Sequence, residues 1–376
     1  MEYFKKINFR KLDYIVFLSM TILIFIGLYC VRQADILSED KNGLYTKQLL
    51  GAIIGSGTIL VMLFIDYRFI SKLSFLMYIG ITLILAFTLF FGNNVNNVNR
   101  WITIAGIPFQ PSELAKVVLI IFLAYLCDHF KNKMGKFYVF FILAAITAVP
   151  TLLIVLEPHL SSGLSILFIF AVLVYSSGVS YKVIGTVLAV VLPIIIAIIV
   201  SVTVFNVKLP FIQSYQINRV LSFLSTDEEE DAAGKFQQNQ AIAAIQSGGL
   251  SGKMLVEDDS NKNYRNIYAN ESDFIFSIVG EELGFVGSII IILLYFAMIV
   301  RCFIIASQAP DYIGKIICIG VSSLLIFQVF VNIGVSTSLL PNTGLPLPFI
   351  SYGVTSLVSS MIAVGLVLNI SLRRND

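Results

Sequence analysis

The sequence predicts an all-α polytopic membrane protein of about ten transmembrane helices in a single domain, residues 1–376. A large extracytoplasmic loop, 206–273, is expected between the seventh and eighth helices. Three observations predict this. Of the 376 residues, 57% are hydrophobic and only 13% charged, about half the charged fraction of a soluble domain. The apolar residues fall into runs close to the ~20 that cross a hydrocarbon core. The basic residues gather in alternate connections, as orientation in a membrane requires. A water-soluble enzyme and a disordered scaffold are excluded, and a net charge of +2 leaves no footprint for nucleic acid.

The first span, 14–31, follows Lys5, Lys6, Arg10 and Lys11. It has no small-x-small cleavage site and is long for a signal peptide, so it reads as an uncleaved span. Spans two and three, 47–65 and 69–91, meet at Arg68, with Lys72 nearby. The fourth, 112–127, follows Pro111, which suits a first helical turn. The fifth and sixth, 137–156 and 160–178, follow the basic connection Lys131, Lys133 and Lys136. Lys182 precedes the seventh, 183–205. The last three, 274–300, 313–338 and 349–371, place Arg301 and Lys315 in one connection and Arg373 and Arg374 at the end. With both termini inside, the cytoplasmic segments hold 14 of the 25 Lys and Arg, although they are short. The outer loops hold chiefly Arg32, Lys41, Lys47 and Arg100.

The long outer segment carries an acidic run, 227–231, that reads as a solvated loop tip. Within it, 236–250 reads as an amphipathic helix lying at the membrane surface and ended by Gly248 and Gly249. Cys30, Cys127, Cys302 and Cys318 have no metal or redox spacing and read as small core residues.

Ionisable groups in or beside a span are costly and mark candidate sites. The first place is Arg100-Trp101 followed by Gln110, Pro111, Ser112, Glu113 and Lys116. Glu113 suits a helix N-terminus and shares a face with Lys116 three residues on; the pair is chemical or structural. The second is Asp273 at the outer end of span eight, which also reads as a helix cap. Deeper in that span, Glu281 and Glu282 read as structural, and Gly280-xxx-Gly284 as a close-packing face. The third is the charge-free segment 341–353, which holds Ser351 and whose three prolines forbid a helix. His129 reads as interfacial. His159 reads as a hydrogen-bonded core residue, and its substitution is expected to be nearly neutral.

Four motifs follow in order: RW…QPSELAK at 100–116, QSGGLSG at 246–252, SDFIFSIVGEELGFVG at 272–287 and PNTGLPLPFISYG at 341–353. With them the chain resembles, over nearly its whole length, the SEDS family (shape, elongation, division and sporulation) of membrane peptidoglycan polymerases. GEELG leans toward the FtsW and SpoVE branch. The resemblance implies polymerisation of lipid II on the outer face of the bacterial cytoplasmic membrane, releasing polyprenyl pyrophosphate. It implies Asp273 as the catalytic carboxylate, faced by Glu113 and Lys116. Arg100 and Lys116 would hold phosphate oxygens, with Gln110, Ser112 and Ser351 also on the substrate. A divalent ion (Mg2+ or Mn2+) could bridge the phosphates. The implied partners are a class B penicillin-binding protein and other divisome or elongasome proteins.

The chain departs from the family at Pro158-His159-Leu160-Ser161-Ser162, where the usual P-D-x-G-T has lost its carboxylate. It departs again at Glu271-Ser272, usually His-Thr, and at Gly353-Val354-Thr355-Ser356, usually Gly-Gly-Ser-Ser. Two alternatives stand beside the polymerase. One is a lipid II flippase or transporter, the other a non-catalytic scaffold for the transpeptidase.

Overall fold

The computed structural model describes residues 9–37, 43–95, 98–104, 106–157, 159–180, 182–183, 185–186, 189, 232–254, 262–267 and 270–374. Among these, ten helices form: α1 Tyr14–Leu37, α2 Leu44–Phe64, α3 Tyr67–Phe91, α4 Pro111–His129, α5 Phe137–Leu156, α6 Leu160–Ser176, α7 Ala232–Ser247, α8 Ile275–Ser307, α9 Tyr312–Ser336 and α10 Val354–Ser371. All but α7 coincide with predicted spans. Most of the seventh predicted span and the acidic run 227–231 lie outside the described residues.

Seven helices (α1, α2, α3, α5, α8, α9 and α10) are long and apolar enough to cross a membrane, and α6 is apolar but shorter. Charge and burial sort them into centre and periphery. In α10, 16 of 18 residues are buried, against six of 25 in α3. Large apolar side chains such as Phe69, Phe90, Phe285 and Phe296 are exposed, as lipid-facing positions would be. The 19-residue α4 carries Glu113, Lys116 and Asp128 and buries 14 of its residues. It packs against α3, α9 and α10, so Glu113 and Lys116 sit inside protein, while Asp128 in its last turn is exposed.

Three short antiparallel strands connect α3 to α4: β1 Asn93–Val95, β2 Val98–Ile104 and β3 Ile107–Phe109. The sequence reading did not foresee them. The run Trp101-Ile102-Thr103-Ile104 has the aromatic and β-branched composition of a strand, but it is short and lies between two long apolar helices. The sheet places Arg100 on β2 beside the start of α4.

Two expectations need correction. The tenth span begins at Val354, since 349–353 is irregular and Phe349 and Gly353 have φ of 68° and 153°. Helix α8 is not continuous: Gly284 has φ 66° and ψ −167° and breaks it.

The chain reverses at each connection, so one end of the bundle collects the starts of α4, α6, α8 and α10, the ends of α5 and α9, and α7. The opposite end is closed by charge pairs: Arg301 to Asp13 at 2.5 Å, Arg68 to Asp311 at 2.5 Å and Arg373 to Asp66 at 3.4 Å.

Candidate active site

The site is assembled from backbone that no helix claims. Residues 271–273 precede α8, and their three carbonyls are held one by one. Tyr352 N–H donates to Glu271 O at 2.7 Å, Ser351 Oγ donates to Ser272 O at 2.6 Å, and Asn332 Nδ2 donates to Asp273 O at 3.0 Å. Ser351 Oγ also accepts from Leu347 N–H at 2.8 Å, so this 3% exposed side chain is committed to holding backbone. Behind it, Gln48 of α2 donates to Ser351 O and accepts from Gly353 N–H, both at 3.0 Å. A loop barred from helix by its prolines must satisfy its polar backbone in some other way, and these buried side chains do so.

Asp273 is not the cap that the sequence suggested. The N-cap position is Phe274, with no side-chain hydrogen bond, because Ser277 N–H donates to Phe274 O at 2.9 Å. The Asp273 carboxylate turns to Gly344 instead. A Cβ added there would lie 3.2 Å from Asp273 Oδ2, and Gly344 has φ +72°. Both facts call for glycine.

His159, 5% exposed, stands near enough to the Gly344 backbone for that backbone to act on its imidazole. Its ring nitrogens also lie 3.4 Å from Gln110 Nε2 and 3.5 Å from Ser162 Oγ. Burial pushes the imidazole well below its ordinary pKa, and the nearby charges of Arg100 and Lys116 push it the same way. Arg100 Nε donates to Glu157 O at 2.9 Å. The Glu157 carboxyl is 1% exposed, and neither oxygen has a hydrogen-bond partner among the described residues. Burial raises its pKa to about 8, against the opposing pull of Arg100.

The α4 start completes the group. Lys116 Nζ lies 2.6 Å from Glu113 Oε1, with both side chains at most 2% exposed. Ser112 is fully buried, and its hydroxyl has no hydrogen-bond partner among the described residues. Gln110 N–H donates to Thr355 Oγ1 at 3.1 Å, which fastens this turn to α10. Of the residues expected from sequence, Arg100, Gln110 and Lys116 join His159 directly or through charge, and Asp273 joins it through Gly344. Sequence reasoning passed over Gly344, Glu157 and Asn332 and discounted His159. The PNTG run and the departure at 158–159 were the available signals.

Glu281 and Glu282 are structural. Glu281 accepts from Asn263 N–H and Tyr264 N–H at 2.9 Å, Ser247 Oγ at 2.8 Å and Lys253 Nζ at 2.6 Å. Glu282 accepts from Tyr29 and Tyr264 hydroxyls at 2.8 Å and pairs with Lys262 at 2.9 Å. The Gly280-to-Gly284 face receives Ile245 and the 250–252 backbone, a close approach as the spacing predicted. Helix α7 and its following turn are thus seated on the broken part of α8.

Among the described residues no three His, Cys, Asp or Glu side chains come together. Glu113 is neutralised by Lys116, and Glu157 lies in the field of Arg100.

Comparison with known proteins gives a consistent result. The profile of the cell cycle protein family of FtsW, RodA and SpoVE matches residues 10–376. A probable peptidoglycan glycosyltransferase FtsW of Geobacter sp. (strain M18) is 31% identical over 370 residues, covering 96% of this chain and 97% of the relative. Stage V sporulation protein E of Bacillus subtilis (strain 168) is 31% identical over 369 residues, covering 96% of each. A solved chain from a peptidoglycan synthase complex, in work on the coordination of polymerization and crosslinking, superposes with a TM-score of 0.78 at 25% identity, covering 97% of this chain and 99% of that one. With nearly its whole length matched in sequence and in fold, the chain belongs to the FtsW, RodA and SpoVE family of cell cycle proteins.

Proposed function

We propose that the chain is a peptidoglycan glycosyltransferase that polymerises lipid II on the outer face of the bacterial cytoplasmic membrane, with both termini in the cytoplasm. The observation that carries this is the convergence of Asp273, Gly344, His159, Arg100 and the Glu113–Lys116 pair at one end of the bundle. A transporter sets its charged groups near the midplane, whereas these lie on helix starts and the loops between them. The names of the relatives support the same chemistry.

In the reaction, the acceptor sugar's 4-hydroxyl attacks the donor's anomeric carbon. The bond to polyprenyl pyrophosphate breaks with its electron pair on the leaving oxygen, and the hydroxyl proton passes to Asp273. A single displacement inverts the anomeric carbon. Arg100 and Lys116 supply positive charge to the pyrophosphate, with Lys116 held in place by Glu113. Gln110 and Ser112, at the start of α4, are buried and act from behind the substrate, Gln110 against His159, and Ser351 acts by holding Ser272. Any divalent ion (Mg2+ or Mn2+) would arrive on the pyrophosphate. A class B penicillin-binding protein, within a division or elongation assembly, would cross-link the product.

The test is glycan-chain formation from labelled lipid II by the purified protein with its transpeptidase, with and without EDTA. Wild type is expected to make polymer, and Asp273→Asn to lose at least about 100-fold while folding normally. Wild-type turnover in the mutant would remove Asp273 as base. No polymer from wild type in the intact complex would favour lipid translocation or scaffolding.

A further inference from the structure

We propose that Asn332 is a positioning residue for Asp273: its side-chain amide sets where α8 begins and so which way the carboxylate points. The inference rests on the reading of Asp273 as the base. Asn332 lies in α9 and is 1% exposed. Its Nδ2 donates to Asp273 O at 3.0 Å and to Leu345 O at 2.7 Å. Both partners are carbonyls, so the amide orientation follows from chemistry: turned over, three oxygens would face one another. One side chain thereby ties the residue before α8 to the residue after Gly344, and Gly344 is where the carboxylate rests.

The bond to Asp273 O has a specific consequence. In a continuing α-helix that carbonyl would accept from Ser277 N–H, four residues on. Here Ser277 N–H donates to Phe274 O, and Asn332 takes the Asp273 carbonyl. Without Asn332 the part-buried carbonyl loses its donor, and Ser277 N–H is the nearest replacement by sequence. Winding α8 back by one residue would swing Asp273 around the helix axis and off Gly344. Ser351 and Tyr352 hold the two preceding carbonyls, but neither holds Asp273 itself.

The test uses the full-length protein with its transpeptidase and compares wild type, Asn332→Leu and Asn332→Asp. Both variants are near-isosteric and remove the donor pair. The expected result is a kcat about 10- to 100-fold lower, the scale of a misplaced catalytic group, with KM within about threefold. A second readout needs no turnover: the rate at which a carbodiimide modifies Asp273, followed by mass spectrometry on the folded fraction, should change in both variants. An unchanged kcat and labelling rate would overturn the proposal. So would a rise in KM at constant kcat, which would make Asn332 a substrate contact. Failure of both variants to fold would also overturn it, since the bond would then be purely structural. Altered labelling in a wild-type background that makes no polymer would leave the positioning role standing and remove the base.

Discussion

Asp273 and Gly344 constrain one another, and the consequence can be isolated at a single Cβ. Gly344→Ala meets two penalties: a left-handed φ, about 1–2 kcal/mol for an L-residue, and a methyl 3.2 Å from Asp273 Oδ2. Gly106 has φ +80° with nothing within 4 Å of its added Cβ, so Gly106→Ala meets the first penalty alone. Polymer formation is expected to fall at least about tenfold in Gly344→Ala and to stay near wild type in Gly106→Ala. Equal losses would mean that strain, and not contact with the carboxylate, governs the site. Glu157 makes a pH prediction. Its pKa rises on folding from the ordinary 4.5 to about 8 because burial penalises the charged form. The stability it contributes is therefore present in full below about pH 4.5 and lost as pH rises through about 8. His159, lowered from 6.5, is neutral throughout the upper part of that window. The melting temperature in detergent should fall between pH 6.5 and 8.5, and Glu157→Gln should flatten that fall. A slope unchanged in the mutant would assign it to another group.

Helix α8 shows how an element is broken to build a site. At Gly284 the helical ladder opens. Glu281 and Glu282 carbonyls accept from Lys253 and Met254 N–H at 2.9 Å, while Phe285 and Val286 N–H donate to Gly249 and Leu250 O at 2.9 and 3.2 Å. The turn after α7 thus replaces the bonds that the break costs. A Cβ on Gly252 would lie 2.2 Å from Glu282 O, so backbone must separate in Gly252→Ala. Glu281→Ala would take the acceptor from the buried Tyr264 N–H and the part-buried Asn263 N–H. It would also take one partner from Lys253, which at 21% exposure can turn toward water, so the loss is about 2–3 kcal/mol, below that of a fully buried pair. Both variants are expected to melt well below wild type, with α7 more open to protease. Wild-type melting in Glu281→Ala would show that this seat is not needed for folding. The sequence carried part of this. Lipid demands long apolar runs, so nine helices could be read from them, and the small residues at 280 and 284 announced a close neighbour. The break itself could not be read, since glycine also packs within intact membrane helices. Nor could the hold on residues 271–273, because it is made through main-chain carbonyls. Asn332 reads only as one polar residue in an apolar span, and His159 as a substitution that had lost a carboxylate.

Across the whole molecule, the two ends divide the work of stability and chemistry. The site end is rich in irregular backbone, buried hydroxyls and amides. The opposite end is fastened by ion pairs, two of which meet on Asp13. Asp13, 2% exposed, pairs with Arg301 of α8 at 2.5 Å and Arg374 beyond α10 at 3.5 Å. Its Oδ1 also accepts from Val16 N–H at 3.2 Å, which caps α1. One carboxylate therefore ties the first, eighth and last helices. Arg301 and Arg374 remain 27% and 21% exposed, so on its removal both can turn toward water or lipid phosphates, and the penalty stays below that of a fully buried pair. Losing the cap adds about 1 kcal/mol. Asp13→Ala is therefore expected to lower the melting temperature in detergent by an amount worth about 2–3 kcal/mol. Polymer made per folded molecule should stay within about twofold of wild type, because Asp273 and its supports lie at the other end. A large fall in turnover at unchanged stability would mean that the two ends are coupled through α8, and the break at Gly284 would be the first place to look for that coupling.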